Sequence, residues 1–347
     1  MKKIGREVLF ITKQDGNPRN GEGAFIRLKD GAIMFGYTEY IGTGGGDHDN
    51  ARITCIISRD EGESWSDKRV MLDTPPNCKN IMSLSFLRMA NGDIGAFYIL
   101  KELDGTDKIM FVRSADEGFT WSEPLDCFAC LGYEDYFVLN NDRVIRLKSG
   151  RILFSVASYP AGKLFFFYSD DDGYTWQNSD TVIESPISGI SLQEPGLYQL
   201  PDGRIWCYIR CALGCQCQTF SSDDGITWED ITLNKFFTSP LSPMLVKDVG
   251  EYTAAIFNPI PKYTTRPSSE PLGRTPYVCA ISDDRGVTFA SRRLFYLEDD
   301  LTHGYCYPAI IEGDGYFLAA YYYSDLEGRV LTNQKIVKVT FDEIAKE

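Results

Sequence analysis

The chain has 347 residues, 43% hydrophobic and 24% charged, a globular composition that excludes a disordered chain and promises a core of useful size. Its 35 basic residues stand against 49 acidic ones, a net charge of −14, which argues against a nucleic-acid partner. No run of about 18 apolar residues occurs, so no membrane span is expected.

The chain opens basic, MKKIGREVLFITKQDG, but its apolar run VLFI is too short for the core of a signal peptide. It is therefore expected in the cytoplasm, or secreted if a leader has been removed. The ten cysteines do not read as a disulfide framework. Cys55, Cys207 and Cys279 sit in apolar strand-like runs, where a thiol behaves as a small hydrophobe. The pairs Cys127/Cys130 and Cys215/Cys217 lack a second pair at zinc spacing. With only His48 and His303, neither a multi-histidine metal centre nor a Ser-His-Asp hydrolase is expected. No metal or cofactor is called for, and chemistry falls to carboxylates, tyrosine and arginine.

In chain order, the first unit runs GAFIRL, a turn at RLKDG ending on Gly31, AIMFGYTEY, then RITCIIS and SRDEGESW from Ser58. The second repeats the plan with RMANG to Gly92, KIMFVRS and SADEGFTW from Ser114. The third has RLKSG to Gly150, LFFFYS and SDDDGYTW from Ser169; the fourth has QLPDG to Gly203, CQTFS and SSDDGITW from Ser221. The fifth has VKDVG to Gly250, YVCAIS and SDDRGVTF from Ser282. The sixth has IEGDG to Gly315 but no Ser-x-Asp-x-Gly turn; either EVLFITK or IVKVTF could supply its closing strand. Only FDEIAKE, at the end, could make a turn or two of helix.

Alternating apolar runs that end on these turns read as strands. In the five Ser-x-Asp-x-Gly-x-Thr/Ser-Trp/Phe copies, glycine supplies positive φ, Ser and Asp bond the turn's backbone, and the aromatic packs beneath. These are structural corners. Two hairpins per unit and six units predict an all-β, six-bladed β-propeller with four antiparallel strands per blade, in one domain over 1–347. The distance from hairpin glycine to the next turn's serine is 18 or 19 residues in units four and three, but 27 and 32 in units one and five. The inserts there, IGTGGGDHDNAR and NPIPKYTTRPSSEPLGRTP, are long loops on a rigid scaffold, where function usually sits.

Five such turns on six blades resemble the sialidase (neuraminidase) superfamily, whose Asp boxes they match, and the resemblance covers essentially the whole chain. The family carries a Glu, a strand, a Leu-x-Asp-Gly turn, a second strand and an Arg; EPGLYQLPDGRIWCYIR places Glu194 and Arg210 at that spacing. A Tyr precedes the last blade's first hairpin, matched by Tyr307 in YCYPAIIEGDG, with Tyr305 as competitor. The family's catalytic Asp lies eleven residues before the first box, at Asp47, with Asp49 as alternative. Arg274 fits the third arginine, and Arg266 could substitute. The family's opening Arg-Ile-Pro is missing: NPRNGEGAFIRLKDG has Gly21 or Glu22 where the arginine should stand, and Arg19 comes two or three residues early. Arg19 could still arrive from a rearranged loop, with Glu22 as an extra polar contact.

The resemblance implies an exo-α-sialidase acting on terminal sialic acids of glycans or oligosaccharides. Arginines give planar bidentate donors for the carboxylate on the sugar's anomeric carbon, C2. That carboxylate repels an anionic nucleophile but not a neutral phenol, and tyrosine is the sialidase exception among retaining glycosidases. Tyr307 would attack, Glu194 would draw off its proton, and Asp47, partly desolvated to hold a proton, would serve as acid and then base. Three rival expectations stand beside it: a non-catalytic glycan-binding propeller, an enzyme for another anionic sugar, and a sialidase releasing an anhydro product.

Overall fold

The structure is a computed structural model that describes residues 1–132, 136–159, 161–261, 271–325 and 331–345. Six antiparallel sheets form the six blades of a β-propeller. The first blade is built from Asn20–Arg27, Ile33–Tyr40, Ala51–Ser58 and Arg69–Leu72, and the second from Cys78–Arg88, Ile94–Glu102, Asp107–Ser114 and Leu125–Asp126. The fourth is Gln193–Gln199, Ile205–Arg210, Cys215–Ser221 and Thr232–Thr238; the fifth is Leu245–Val249, Tyr252–Phe257, Tyr277–Ser282 and Leu294–Glu298. In the third, the inner strand is split into Tyr136–Val138 and Ile145–Arg146, both paired with Ile152–Tyr159, followed by Leu164–Ser169 and Gln177–Asn178. The sixth blade uses both candidate closing segments. Tyr305–Gly313, Tyr316–Tyr323 and Asn333–Thr340 are followed outward by Arg6–Ile11, so the two ends of the chain close the ring in one sheet. The predicted final turn of helix spans Phe341–Ile344, capped reciprocally by Thr340 and Glu343. No helix among the described residues is long and apolar enough to cross a membrane.

The five Ser-Asp-Gly turns fold alike. In the second blade, Gly118 N–H donates to Ser114 Oγ at 2.7 Å, Ser114 Oγ donates to Asp116 Oδ1 at 2.8 Å, and Thr120 N–H donates to the same carboxylate at 2.8 Å. Glu117 and Gly118 both take positive φ, 58° and 87°, so the glycine relieves one of two left-handed positions. The aromatic that ends each turn enters a different apolar cluster: Trp65, Trp121, Trp176, Trp228 and Phe289 each fill a separate one of the six. Each cluster draws its residues from two neighbouring blades, so the core is six inter-blade wedges, not one centre. Cys55, Cys207 and Cys279 lie in these wedges, each almost wholly buried.

Strand direction separates the two rims. Within each blade the inner strand runs down to the hairpin glycine, and in the first five the third strand runs down to the Ser-Asp-Gly turn. Both sets of turns therefore share one rim. The loops between second and third strands, with 41–50 the longest among those described throughout, lie on the other.

The axis is filled by the break in the third blade. Asn141 Nδ2 donates to Gly23 O in the first blade at 2.7 Å and to Pro308 O in the sixth at 3.3 Å. Asp142 N–H donates to Leu84 O in the second at 3.0 Å; its carboxylate accepts from Lys247 Nζ in the fifth at 2.6 Å. Arg143 Nη1 donates to Tyr208 Oη in the fourth at 2.8 Å. Residues Asn140–Arg143 thus plug the ring and touch every other blade. The inner strand breaks here because these residues turn to the other blades: their side chains bond four of them, and backbone N–H groups of Asp142 and Arg143 go to Leu84 O and Ser85 Oγ of the second in place of a ladder partner.

Candidate active site

A cavity of about 380 Å³ opens on the loop rim, lined among others by Glu22, Asp47, Lys101, Tyr136, Asn140, Glu194, Arg210, Arg274 and Tyr307. Four inner strands deliver side chains to it by the same device. Their pairing registers slip by one residue between Asn20 and Gly23, Met82 and Ser85, Gln193 and Gly196, and Cys306 and Ala309. Each slip is a β-bulge, which re-aims the extra side chain, and the bulges hold Glu22, Ser83, Glu194 and Tyr307, all of them on the cavity wall. Ser83, Glu194 and Tyr307 have φ of 59°, 43° and 55°. Left-handed backbone at a non-glycine residue costs about 1–3 kcal/mol and persists where the surroundings enforce it, commonly at functional sites.

Gln193 pairs with Arg210, so Glu194 and Arg210 meet at the upper end of one hairpin, as their spacing predicts. Arg210 Nη1 lies 2.6 Å from Glu194 Oε2. Tyr307 Oη donates to Glu194 Oε1 at 2.8 Å and accepts from Arg210 Nη1 at 3.3 Å. Burial and the neighbouring Glu194 carboxylate push the Tyr307 phenol far above its ordinary value, against the pull of Arg210 and Arg274, so it rests neutral. Tyr305 points the other way: it is buried in the wedge, donating to Asp300 O at 3.1 Å and stacked on Tyr277. Arg274 ends a short 3₁₀ turn, with its guanidinium carbon 5.5 Å from the Tyr307 ring centroid and Nη1 donating to Cys306 Sγ at 3.0 Å. Arg266 lies outside the described residues.

Arg19 does reach the site, but from behind. It is 2% exposed and absent from the cavity wall. Its Nε donates to Tyr322 Oη at 2.8 Å, Nη2 to Glu22 Oε1 at 3.1 Å and Nη1 to Asp47 Oδ1 at 2.5 Å. Glu22, one bulge further along, occupies the wall in front of it. Glu22 Oε2 accepts no hydrogen bond from the described residues, and burial raises its carboxyl despite Arg19.

Asp47 is partly desolvated, as expected, but its surroundings favour the carboxylate over the protonated acid. Its side chain is half-exposed. Burial pushes its carboxyl up, but the Arg19 charge and hydrogen bond, with Lys101 and His48 beyond, outweigh this and hold it below the usual range. Asp49 turns into its own loop, accepting from Gly46 N–H at 2.7 Å. Asn80 Nδ2 pins that loop by donating to the carbonyls of Asp47 and Asp49 at 3.0 and 2.7 Å.

Sequence reasoning passed over Lys101, Tyr136, Ser83 and Asn140. Lys101 is 2% exposed, with Nζ donating to Asp107 Oδ2 at 2.8 Å and Tyr136 Oη at 3.1 Å. A lysine ending the apolar run IGAFYILK was its one signal. For Asn140 the signal was NNDR, four polar residues where an inner strand belongs.

The BNR repeat-like domain family is matched by residues 36–318. The anhydrosialidase of Macrobdella decora is 32% identical over 132 residues, 36% of this chain. The chain spans only 17% of that protein's length in the match. Among solved structures, the intramolecular trans-sialidase from Ruminococcus gnavus, in complex with oseltamivir carboxylate, is similar at TM-score 0.79 and 14% identity, over 98% of each chain. The K499G mutant of NanB sialidase from Streptococcus pneumoniae has TM-score 0.74 and 14% identity, over 98% of this chain and 71% of that one. A protein of unknown function from Dyadobacter fermentans has TM-score 0.74 and 18% identity, over 96% and 99%. At these identities the structural likeness speaks for the fold.

Proposed function

The chain belongs to the BNR repeat-like domain family, within the sialidase superfamily, and from that premise we propose that it is an exo-α-sialidase that cleaves terminal sialic acids with retention, using Tyr307 as nucleophile. The observation that carries this reading is the contact between Tyr307 Oη and Glu194 Oε1 at 2.8 Å, with Arg210 touching both groups. A phenol that rests neutral beside an acceptor carboxylate can approach an anionic C2 without repulsion and become a nucleophile as it loses its proton.

Arg210 and Arg274, on the cavity wall, take the substrate carboxylate. Tyr307 Oη attacks C2 as its proton passes to Glu194; the bond from C2 to the leaving oxygen breaks, and Asp47 protonates that oxygen. Water then attacks C2 and gives its proton to Asp47. The Tyr307–C2 bond breaks, and the phenolate recovers its proton from Glu194. Asp47 is a carboxylate in the free protein, and substrate supplies what it lacks. An anion bound nearby and the expulsion of water both raise a carboxyl's pKa, so the acid form gains population in the complex.

A second reading concerns only the last step. The Macrobdella decora and Ruminococcus gnavus proteins are named for anhydrosialidase and intramolecular trans-sialidase activity. From the same tyrosyl intermediate, a hydroxyl of the sugar itself can attack C2 in place of water, giving an anhydro sugar lighter by one water. A panel of fluorogenic glycosides tests the main reading: release from the α-sialoside alone supports it. Release from a uronide alone points to another anionic sugar, and release from none to a binding module. Mass spectrometry of the sugar product separates hydrolysis from anhydro release.

A further inference from the structure

Tyr307 is held in place by the plug, not by its own blade alone. Its backbone is left-handed, at φ 55°, and the bulge between Cys306 and Ala309 removes Pro308 from the ladder. A buried carbonyl freed in this way needs another donor. Asn141 Nδ2 supplies it at 3.3 Å, and its other hydrogen goes to Gly23 O at 2.7 Å. Gly23 follows Glu22 at the equivalent bulge of the first blade. One amide therefore sits between the residue after Glu22 and the residue after Tyr307. Two residues further on, Ile310 N–H donates to Asp142 Oδ2 at 3.1 Å, while Lys247 Nζ donates to Ile310 O at 3.1 Å and to Asp142 Oδ1 at 2.6 Å.

We propose that Asn141 is a positioning residue for the sialidase reaction: its side-chain amide fixes the turn that aims the Tyr307 phenol at Glu194 and at C2. This rests on the reading of Tyr307 as nucleophile. Asn141 is 1% exposed, and a neutral amide suits the place because two carbonyls converge on one nitrogen that carries two hydrogens. A carboxylate of the same shape would set an acceptor against two acceptors. The neighbouring Asn140 lines the cavity, so the plug that holds the nucleophile's strand is also part of the floor beneath the sugar. Arg210 and Arg274 are carried by a different strand and by a 3₁₀ turn, and Asn141 Nδ2 bonds neither, so removing this one amide leaves the carriers of carboxylate capture in place.

The experiment compares Asn141→Ala and Asn141→Asp with wild type, normalising rates to the folded fraction titrated with an unsaturated sialic-acid analogue. A reacting group misplaced by about 1 Å can cost about 10²-fold. The expected result is a kcat lowered by about 10–10²-fold with KM and analogue affinity kept within about twofold. Asn141→Asp, equal in volume but without the donors, should be no better than Asn141→Ala at neutral pH and should recover as pH falls and a carboxyl O–H returns one donor. A lower melting temperature with wild-type kcat in both variants overturns the proposal, because that is what a purely structural amide would give. If neither variant folds, Asn141→Ser, smaller and with one donor in place of two, must lower kcat at unchanged KM, and wild-type kcat there overturns the proposal equally. Tyr307→Phe run alongside separates the two failures. If it is as active as wild type the nucleophile reading falls; if it is dead while Asn141→Ala keeps its kcat, only the positioning role falls.

Discussion

Tyr307 and Glu194, 113 residues apart in the chain, meet at 2.8 Å, and both stand on left-handed backbone inside a β-bulge. Without the extra residue each side chain would fall in the ordinary alternation of its strand and face a wedge between blades, as Tyr305 does. The pair is made by two matching defects in two sheets, with the Asn141 amide bracing one of them.

Tyr307→Phe removes only the hydroxyl. The ring still packs edge-on against Tyr322, so the variant should fold, bind the unsaturated analogue and lose nearly all turnover. Tyr305→Phe should keep its turnover and lose about 1 kcal/mol of stability with its bond to Asp300 O. Steady-state kinetics and thermal melts of the two variants check this; a dead Tyr305→Phe beside an active Tyr307→Phe would exchange the two roles.

The Ser-Asp-Gly turns lie on the rim opposite the cavity, so damage there should reach stability and not chemistry. A Cβ added at Gly118 would stand at φ 87° and 3.2 Å from Met34 Cε. Gly118→Ala should cost about 1–2 kcal/mol, and Trp121→Ala more, since its ring fills the wedge between the first two blades. Activity per folded molecule should stay at the wild-type level. A loss of kcat with no change in melting would assign these turns to the site.

Hydrogen bonds from Ser64 and from Thr120 lower Asp60 and Asp116 to about 2. Folding depresses these pKa values below the ordinary value of about 3.9. The stability they contribute is therefore full above pH about 4 and is lost as pH falls toward about 2. Burial pushes Asp171, Asp223 and Asp284 up, but hydrogen bonds from Thr175, from Thr227, and from Ser282 with Thr288 outweigh it, so they are lowered as well. Melting temperature should fall over that window, and Asp60→Asn should flatten the slope while lowering the plateau. An unchanged slope in that variant would remove Asp60 from the account.

What the sequence made legible was whatever is encoded locally. Ser114, Asp116, Gly118 and Thr120 bond one another within seven residues, and Gly31 closes its hairpin on Leu28, so those turns, and the blade count that follows from them, could be read directly. The Glu194–Arg210 hairpin was legible for the same reason. The plug was not, because Asn141 finds its partners 118 and 167 residues away and nothing near it in the chain announces them. The bulges were missed because these inner strands are buried along both faces for much of their length, so they carry little alternation for an extra residue to shift. Arg19 was half legible: the residue is present, but its burial behind Glu22 depends on Tyr322 in the last blade, part of a tyrosine run that could equally have faced outward.

The Asp47–Arg19 pair, at 2.5 Å, bears on the most exposed prediction. If Asp47 protonates the leaving oxygen, its loss should hurt most where that oxygen is a poor leaving group. Asp47→Ala should slow cleavage of a natural sialoside by about 10²–10⁴-fold. An aryl sialoside, whose leaving group needs far less protonation, should suffer much less in its first step. The second step still lacks a base, so a burst of aryl release should precede a slower steady state. Arg210→Ala removes carboxylate capture, which both substrates share, and should disable both together. The pH profile carries the same argument. The free protein holds Asp47 below the ordinary carboxylate range, so kcat/KM, which reports the free enzyme, should begin to fall at low pH as the acid form is lost. The bound anion raises Asp47, so kcat should hold to higher pH before falling. Coincident limbs, equal losses on both substrates and no burst would leave Asp47 as a positioning partner of Arg19 and move the acid role to Asp49.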